Sequence, residues 1–271
     1  MEAKKEIQIE ELKKIQLDIL LSIHNFCEEN HIKYSLADGS LLGAIRHQGY
    51  IPWDDDIDIC LLRDDYERLI KIFPRLYKKS IAMISLERND QWAHPYAKAY
   101  NIHTVQEEDS LNNKPQIGIG IDIFPFDEVP DDEKEWKAYN RKRKLLISLL
   151  MLKWMKWRRG RSFGKNVIAI LSKLVLFMFS FRQISFWIDG YSKKYNGKGH
   201  NHLYENCMGM ILNHSFDKAA FDTTVDVSFE GYKVKAMIGY HDCLTNFYGD
   251  YMKLPPIEKR VAHHDIKAFW K

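Results

Sequence analysis

The sequence of residues 36–58 is LADGSLLGAIRHQGYIPWDDDID, and this stretch decides the fold. A short β-prone segment ends at Leu36, and small residues at positions 38–40 turn the chain into an apolar helical pattern. Gly49 and Pro52 end that pattern, after which the aspartates lead into a second β-prone segment, residues 57–62. The stretch therefore predicts a strand, a small-residue turn, a helix and a buried strand in direct succession.

Two aspartates near the start of the second strand predict a metal site. Asp56 and Asp58 are two residues apart on a predicted strand, so their side chains leave the same face. Carboxylates aimed at one point repel each other unless a cation lies between them, and oxygen ligands of this kind suit Mg2+ or Mn2+. Asp54 and Asp55 fit the role of turn formers better.

A calcium-binding loop is the alternative for the same aspartates. Asp54, Asp56 and Asp58 would then occupy positions 1, 3 and 5 of an EF-hand loop. Position 6 would be Ile59, where the loop needs glycine, and position 12 would be Asp65, where glutamate is usual. The EF-hand pattern thus fails at its sharp turn.

Small residues upstream predict a phosphate site, and one acidic residue downstream extends the acidic set. Gly39 and Ser40 follow Asp38 at the helix start, where backbone N–H groups can receive a phosphate; a packing turn is the alternative. Asp122 lies alone in the apolar run 118–124, where an unpaired charge is costly. It is the candidate third metal ligand or general base, unless a buried Arg or Lys pairs with it.

The remaining pattern predicts a mixed α/β fold of the α+β kind, with helices flanking a core sheet. The predicted elements are a helix over 7–29, a helix capped by Asp64, strands over 81–86, 96–100 and 117–124, and a hairpin over 225–237. After Pro130 the chain becomes helical, basic and aromatic. We therefore expect a catalytic core over 1–132, a helical basic subdomain over 133–200, and a C-terminal part over 201–271 that completes the core.

Composition and charge exclude several classes of protein. A chain of 271 residues with 45% hydrophobic and 28% charged residues is globular rather than disordered or collagen-like. Forty Lys and Arg against 37 Asp and Glu leave a net charge of +3, which does not support nucleic-acid binding.

The middle of the chain is strongly basic. From Lys137 to Lys165 there are eleven Lys or Arg and no Asp or Glu. The apolar stretch 167–181, interrupted by Lys173, is shorter than the ~20 residues that a spanning helix needs. The region is either a buried helical unit or a set of helices that lie on an anionic membrane face.

The cysteines and the N-terminus bear on location. Cys27, Cys60, Cys207 and Cys243 are scattered and form no C-x-x-C pair. We favour reduced thiols in a cytoplasmic protein, with a structural disulfide as the alternative. The charged N-terminus has no secretory pattern, so we expect a cytoplasmic protein, peripheral at the inner membrane face if the basic helices bind lipid.

The run at 36–58 resembles the signature of the LicD family of phosphocholine transferases. Fukutin and fukutin-related protein, eukaryotic relatives that handle ribitol phosphate, share its D-x-D core. The tail resembles the family's closing motif in residues 248–252, Arg260 and His263-His264. Residues 133–200 carry no family motif, and an acceptor-specific surface would vary there.

The resemblance implies a nucleotidyltransferase-like fold and a reaction. Phosphocholine would pass from CDP-choline to a sugar hydroxyl of a cell-surface glycan, either teichoic acid, lipooligosaccharide or a capsular polysaccharide, free or lipid-linked. Asp56, Asp58 and Asp122 would hold Mg2+ or Mn2+, and Asp122 would also draw the proton from the acceptor hydroxyl.

The resemblance also implies roles for the residues around these aspartates. Gly39 and Ser40 would receive the donor phosphate, and Arg46 would neutralise the pyrophosphate. The choline head calls for an aromatic cage, for which Trp53, Tyr50, Trp92 and Tyr96 are candidates. The full set of implied substrate-binding residues is Asp38, Gly39, Ser40, Arg46, His47, Trp53 and Lys98.

Two other functions stay open at this point. The same fold could move another phospho-alditol or phosphoethanolamine from its nucleotide donor, because the discriminating contacts surround the head group. A membrane-associated binding protein without turnover is the third possibility. Loss of the acidic triad would favour it, whereas all three acidic positions are filled here.

Overall fold

The computed structural model describes residues 5–108, 117–154, 176–205, 215–261 and 266–271, together with the single positions 164, 167 and 171. It confirms the mixed α/β expectation. The helices bounded within these residues are α1 Ile9–Glu29, α2 Asp38–His47, α3 Arg63–Ile72, α4 Glu133–Trp154, α5 Phe181–Ser192 and α6 Tyr240–Tyr248.

The strands of the described residues form a main sheet, a smaller sheet and a hairpin. The main sheet has the order β2-β3-β7-β5-β4, with β8 on the second half of β7 and β9 beside β8. β3 and β7 are parallel, and the other neighbours are antiparallel. The strands are β1 Glu6–Ile7, β2 Ser35–Leu36, β3 Asp58–Leu62, β4 Ile81–Ile84, β5 Ala97–Asn101, β6 Thr104–Glu108, β7 Gly120–Val129, β8 His202–Glu205, β9 Phe216–Asp217, β10 Thr224–Phe229, β11 Tyr232–Met237 and β12 Ile266–Trp270.

Helix α1 covers the main sheet at β5 and β7. Apolar residues at three- and four-residue spacings place Leu12, Ile19 and Ile23 on one face, and all three are buried. Each such burial contributes about 1.5–3 kcal/mol relative to exposure. Gln16 lies on the same face, and its Nε2 donates to the Asp55 carbonyl oxygen at 3.0 Å. The helix therefore also holds the aspartate loop in place.

The C-terminal hairpin was predicted correctly, and the smaller sheet was not predicted. β10 and β11 pair over their full length, and the turn residues Glu230 and Gly231 have φ values of +50° and +81°. Two consecutive positive φ angles are typical of the tight turn that suits strand twist. In the smaller sheet, β12 lies between β1 and β6, so the last residues of the chain pair with the first.

Three local predictions need correction. Helix α2 begins at Asp38, so the expected small-residue turn is the first turn of the helix. Asp64 does not cap α3, because that helix already begins at Arg63. Asp56 precedes β3, which begins at Asp58.

Helices α4 and α5 share an apolar cluster beside the sheet. Helices α4 and α5 contact each other and bury Leu150, Trp154, Ile184 and Ile188 between them. Much of the apolar stretch 167–181 lies outside the described residues, as does the arginine-rich segment before it. Among the helices that the structure describes, none is long and apolar enough to cross a membrane. The region boundaries at 132 and 200 stay predictions.

Three of the four cysteines can be placed. Cys27, Cys60 and Cys243 are buried free thiols, as expected for reduced cysteines. Burial raises the pKa of each thiol, so these thiols are core residues rather than reactive ones. Cys207 lies outside the described residues.

Candidate active site

Three charged residues lie side by side across the main sheet. In the parallel pair of β3 and β7, Asp58 is in register with Asp122. In the antiparallel pair of β5 and β7, Lys98 is in register with the same Asp122. Residues in register on neighbouring strands point to the same face, so two carboxylates and an ammonium meet there.

The ammonium and one carboxylate form an ion pair. Lys98 Nζ lies 2.9 Å from Asp122 Oδ1, and both side chains are mostly buried. This pair is the alternative that the sequence left open for Asp122. Its position next to Asp58 also suits a shared cation, so the ligand role of Asp122 stays a prediction.

Asp58 lies among acidic neighbours. Burial raises the pKa of the Asp58 carboxyl well above its usual range, and nearby negative charges raise it further. A buried carboxyl group beside other carboxylates is stable only when it is protonated or when a cation compensates its negative charge. The contributing carboxylates are Asp56, Asp38, Asp122 and Asp54.

The first turn of α2 is attached to β3 through Ser40. The Ser40 Oγ accepts a hydrogen bond from the Asp58 N–H at 2.9 Å, and the Ala37 N–H donates to the Asp58 carbonyl at 2.9 Å. The Ser40 hydroxyl therefore holds the backbone of an acidic residue, and its own O–H remains available as a donor. The hydrogen bond from the Asp58 N–H fixes the position of the Ser40 side chain. The phosphate contact of Ser40 stays a prediction.

Gly39 provides space for a carboxylate. A Cβ added at Gly39 would lie 2.5 Å from Asp54 Oδ2. The close approach that the sequence assigned to a phosphate is thus made by the Asp54 side chain, which lies against the start of α2. Its neighbour Asp38 has a φ of +44°, a left-handed conformation that Asp tolerates better than most residues. Burial raises the pKa of Asp38 to about 6.

The aspartate loop groups three consecutive carboxylates. Asp54, Asp55 and Asp56 each bring an oxygen within 4.8 Å of the other two. We predicted that Asp56 and Asp58 lie on one face of the same strand. That prediction is wrong, because Asp56 belongs to the loop before β3. Asp56 still adds to the negative charge around Asp58, so a role as a ligand remains a prediction.

The acidic set fits a hard divalent cation by its chemistry. Carboxylate oxygens are the ligands that Mg2+ and Mn2+ prefer, and such ions keep open positions for phosphate oxygens. A cation here would relieve the repulsion that raises the Asp58 pKa. Asp56, Asp58 and Asp122 would hold it, with Asp54 as an acidic neighbour that the sequence had assigned to the turn.

Arg46 and His47 at the end of α2 contact the C-terminal part of the chain. The Arg46 guanidinium donates to the Tyr251 carbonyl at 2.7 Å through one terminal nitrogen and to His47 Nε2 at 2.9 Å through Nε. Burial lowers the pKa of both side chains, and the Arg46 charge adds to the lowering at His47. His47 is therefore a neutral acceptor at neutral pH, and Arg46 holds the loop that contains Tyr251.

The candidate cage aromatics do not form one cage. Trp53 lies edge-on to His47 with ring centroids 6.3 Å apart, and Tyr50 packs on Phe229 at 5.1 Å. Trp92 contacts Tyr96, and Tyr96 packs on Phe124, two residues after Asp122. Of this set, Trp53 is the one placed beside Arg46 and His47, so its substrate role stays a prediction.

Two C-terminal residues belong near the site, and reasoning from the residues had assigned them no role. Burial raises the pKa of the Tyr248 hydroxyl, and the negative charges of Asp38, Asp58 and Asp54 raise it further. The Arg260 guanidinium lies over the Trp53 ring at 5.7 Å. Both residues fall in the tail that resembles the family's closing motif, and that resemblance was the available signal.

A cavity away from the acidic residues of the candidate site lies at the other end of β7. A cavity of about 580 Å³ opens beyond Pro130, at the opposite end of β7 from Asp122, and is lined in part by Trp136, Arg141 and His202. The two positions are eight residues apart on the chain, about 26 Å along a strand. No predicted site residue lines this cavity.

Comparison with known proteins identifies the family. The nucleotidyltransferase-domain model of LicD/FKTN/FKRP matches residues 31–176, which contain the aspartate loop, Lys98 and Asp122. This chain belongs to the LicD family. The match confirms the resemblance seen in residues 36–58 and the expected nucleotidyltransferase-type fold.

A LicD relative extends the similarity over the whole chain. The lipopolysaccharide cholinephosphotransferase LicD of Haemophilus influenzae is 32% identical over 281 aligned residues, covering 98% of this chain and 99% of that protein. An uncharacterized protein of Rickettsia typhi is 40% identical over 51% of this chain and 50% of its own length. An uncharacterized protein of Rickettsia prowazekii is 36% identical over 31% of this chain and 27% of its own length.

The two LicD comparisons cover different parts of the candidate site. The family model ends at residue 176, whereas the full-length similarity includes Tyr248 and Arg260. The expectation of an enzyme of the phosphotransferase class is confirmed.

Proposed function

We propose that this LicD-family chain transfers phosphocholine from CDP-choline to a sugar hydroxyl of a cell-surface glycan and releases CMP. The observation that carries the proposal is the row of Asp58, Asp122 and Lys98 across three adjacent strands. The name of the full-length Haemophilus relative supports phosphocholine as the group and a lipopolysaccharide as the acceptor. Teichoic acid and capsular polysaccharide are the alternative acceptors. The reaction would take place in the cytoplasm, on a lipid-linked glycan at the membrane face.

The proposed reaction depends on Mg2+ or Mn2+, held by Asp56, Asp58 and Asp122. When bound, the ion would supply positive charge to the diphosphate of the donor. The elevated pKa of Asp58 supports this part of the proposal, because burial and the neighbouring carboxylates disfavour its charged form and a bound cation would offset both effects.

The chain's own residues would position the donor. The first-turn N–H groups of α2, at Gly39 and Ser40, have no partner within the helix and lie at its positive end. They can donate to a donor phosphate once the Asp54 carboxylate has moved from its contact with Gly39. Arg46, at the other end of α2, would add positive charge near the diphosphate.

Asp122 would accept the proton of the acceptor hydroxyl. Its ion pair with Lys98 fixes the carboxylate on the face that it shares with Asp58. A fixed carboxylate would lose little freedom when the hydroxyl arrives, and positioning of this kind would assist an in-line attack on the donor phosphate.

Another nucleotide-linked group is the second candidate for the donor. The family model also covers fukutin and fukutin-related protein, and the four candidate aromatics do not form one cage for a quaternary ammonium. CDP-ribitol, CDP-glycerol and CDP-ethanolamine are therefore tested beside CDP-choline.

The test measures CMP release from each donor with purified protein, a divalent ion and hexose- or GalNAc-bearing acceptors. We expect release from CDP-choline, none in EDTA, and a loss of about 100-fold or more in Asp58→Asn and Asp122→Asn. Asp64→Asn is the matched control, because Asp64 is exposed in the first turn of α3.

Each arm can contradict one part of the proposal. Full activity in EDTA would contradict the metal dependence. Consumption of another donor with CDP-choline untouched would contradict phosphocholine transfer. Undiminished activity of Asp58→Asn and Asp122→Asn would remove the acidic row from the reaction.

A further inference from the structure

Helix α5 and the turn before it expose large apolar side chains. Phe177 and Met178 in the turn are 85% and 82% exposed, and Phe186 and Trp187 on α5 are 40% and 42% exposed. We call these four residues the apolar patch. Single exposed apolar residues are ordinary, whereas a contiguous group rimmed by polar residues marks an interaction surface.

The apolar patch is contiguous. Phe179 joins the turn to the helix, because its ring contacts the Trp187 ring at 4.8 Å. On the other side of α5, Ile184 and Ile188 are buried against α4. The helix therefore has one face used within the fold and one apolar face directed outward.

The stretch of sequence that contains the patch is basic. Between Glu135 and Asp189 the chain has thirteen Lys or Arg and no Asp or Glu. In the structure, Arg182 lies over the Phe186 ring at 4.7 Å and also pairs with the exposed Asp90 at 3.1 Å. Lys153, on α4, lies 5.0 Å from the Phe181 ring. Exposed aromatic rings with cations beside them suit an anionic interface.

We propose that the apolar patch docks on an anionic bilayer surface, and that the positive charge of the acid-free stretch between Glu135 and Asp189 adds electrostatic attraction. A second copy of this chain fits the patch less well, because the basic stretches of the two copies would repel each other. The proposal does not depend on the donor or on the reaction, since binding to vesicles is measured without substrates.

The experiment is co-sedimentation of the purified full chain with lipid vesicles. Vesicles that contain phosphatidylglycerol are compared with vesicles of phosphatidylcholine alone, at low and at high salt. We expect binding to the anionic vesicles, weaker binding at high salt, and little binding to the neutral ones.

Two triple variants distinguish binding through the apolar patch from nonspecific binding by other exposed apolar side chains. Phe177→Ser with Met178→Ser and Trp187→Ser should lower the vesicle partition coefficient by about tenfold or more. Leu76→Ser with Tyr232→Ser and Ile257→Ser is the control, since those side chains are 46%, 51% and 78% exposed on other elements. The control should stay within about twofold of the wild type. Circular dichroism and CMP release on a soluble acceptor report whether each variant is folded.

Several results would overturn the proposal. Absence of wild-type sedimentation with anionic vesicles would do so, and so would sedimentation of the patch variant equal to that of the control. Equal binding to neutral vesicles would remove the electrostatic part. If light scattering shows a wild-type dimer and a monomeric patch variant, the occupant is a second copy. Failure of CMP release in all proteins would contradict the proposed reaction and leave vesicle binding unaffected.

Discussion

At the scale of single residues, Asp38 shows how the start of α2 is held under strain. Its φ of +44° lies in the left-handed region, which costs energy for a residue other than glycine and persists only where the surrounding structure imposes it. Burial raises the pKa of its carboxyl to about 6. Strained backbone and a displaced pKa often occur together where a site is built for a ligand.

The displaced pKa predicts how stability changes with pH. Asp38 has a pKa near 3.8 when it is unfolded and about 6 when it is folded, so between these values the folded state binds more protons. Stability from this residue is therefore greatest below pH 4 and declines as pH rises through 6, by on the order of 2 kcal/mol after allowance for partial exposure. Urea unfolding of the metal-free chain from pH 4.5 to 7 measures this decline.

Asp38→Asn is the matched variant, because Asn also tolerates a positive φ and carries no charge. We expect its stability to decline less than that of the wild type over the same pH range. Parallel curves for the two proteins would show that Asp38 does not contribute this dependence.

At the scale of elements, local order was predictable and long-range register was not. The succession of β2, α2 and β3 follows from glycine, proline and apolar spacing within residues 36–62. The register that puts Asp58 opposite Asp122, and Lys98 opposite the same residue, depends on pairing between segments far apart in sequence. The prediction that Asp56 and Asp58 share one strand face was wrong, because the aspartate loop continues up to Asp58, where β3 begins.

Helix α2 also depends on a close approach between backbones. A Cβ at Gly43 would lie 2.4 Å from the Gly49 carbonyl oxygen and 3.2 Å from the Ile51 nitrogen. Backbone atoms cannot turn aside as a flexible side chain can. The path from α2 to the aspartate loop therefore requires the absence of a side chain at this position.

Alanine at two helical glycines should have opposite effects. We expect Gly43→Ala to destabilise the chain by about 1–3 kcal/mol, because the added methyl overpacks the backbone. Gly190→Ala, in α5 with nothing within 4 Å of the new Cβ, should stabilise it by about 0.5–1 kcal/mol through helix propensity. Chemical denaturation of both variants tests this, and a stable Gly43→Ala would mean that the loop can shift.

At the scale of the whole molecule, a buried ion network joins the sheet to the helical region. Arg63 at the start of α3 donates two hydrogen bonds to Asp127 on β7, both at 2.7 Å, and one to Asp189 on α5 at 2.9 Å. Asn196 donates to Asp127 at 2.6 Å, and Lys193 pairs with Asp189 at 2.9 Å. Sequence patterns did not reveal this network, because its members come from segments more than sixty residues apart and each resembles a surface charge.

Removal of Arg63 should therefore cost more than the loss of an ordinary surface charge. Asp127 is fully buried, and Arg63→Ala would leave its charge without the bidentate partner, so we expect a loss of about 3–5 kcal/mol in the free energy of unfolding. Arg68→Ala, one helical turn further on and exposed, should change it by no more than about 0.5 kcal/mol. The double variant Arg63→Met with Asp127→Leu should recover much of the loss, because it removes both buried charges together. Equal stability of Arg63→Ala and Arg68→Ala in urea would show that the network does not hold the helical region to the sheet.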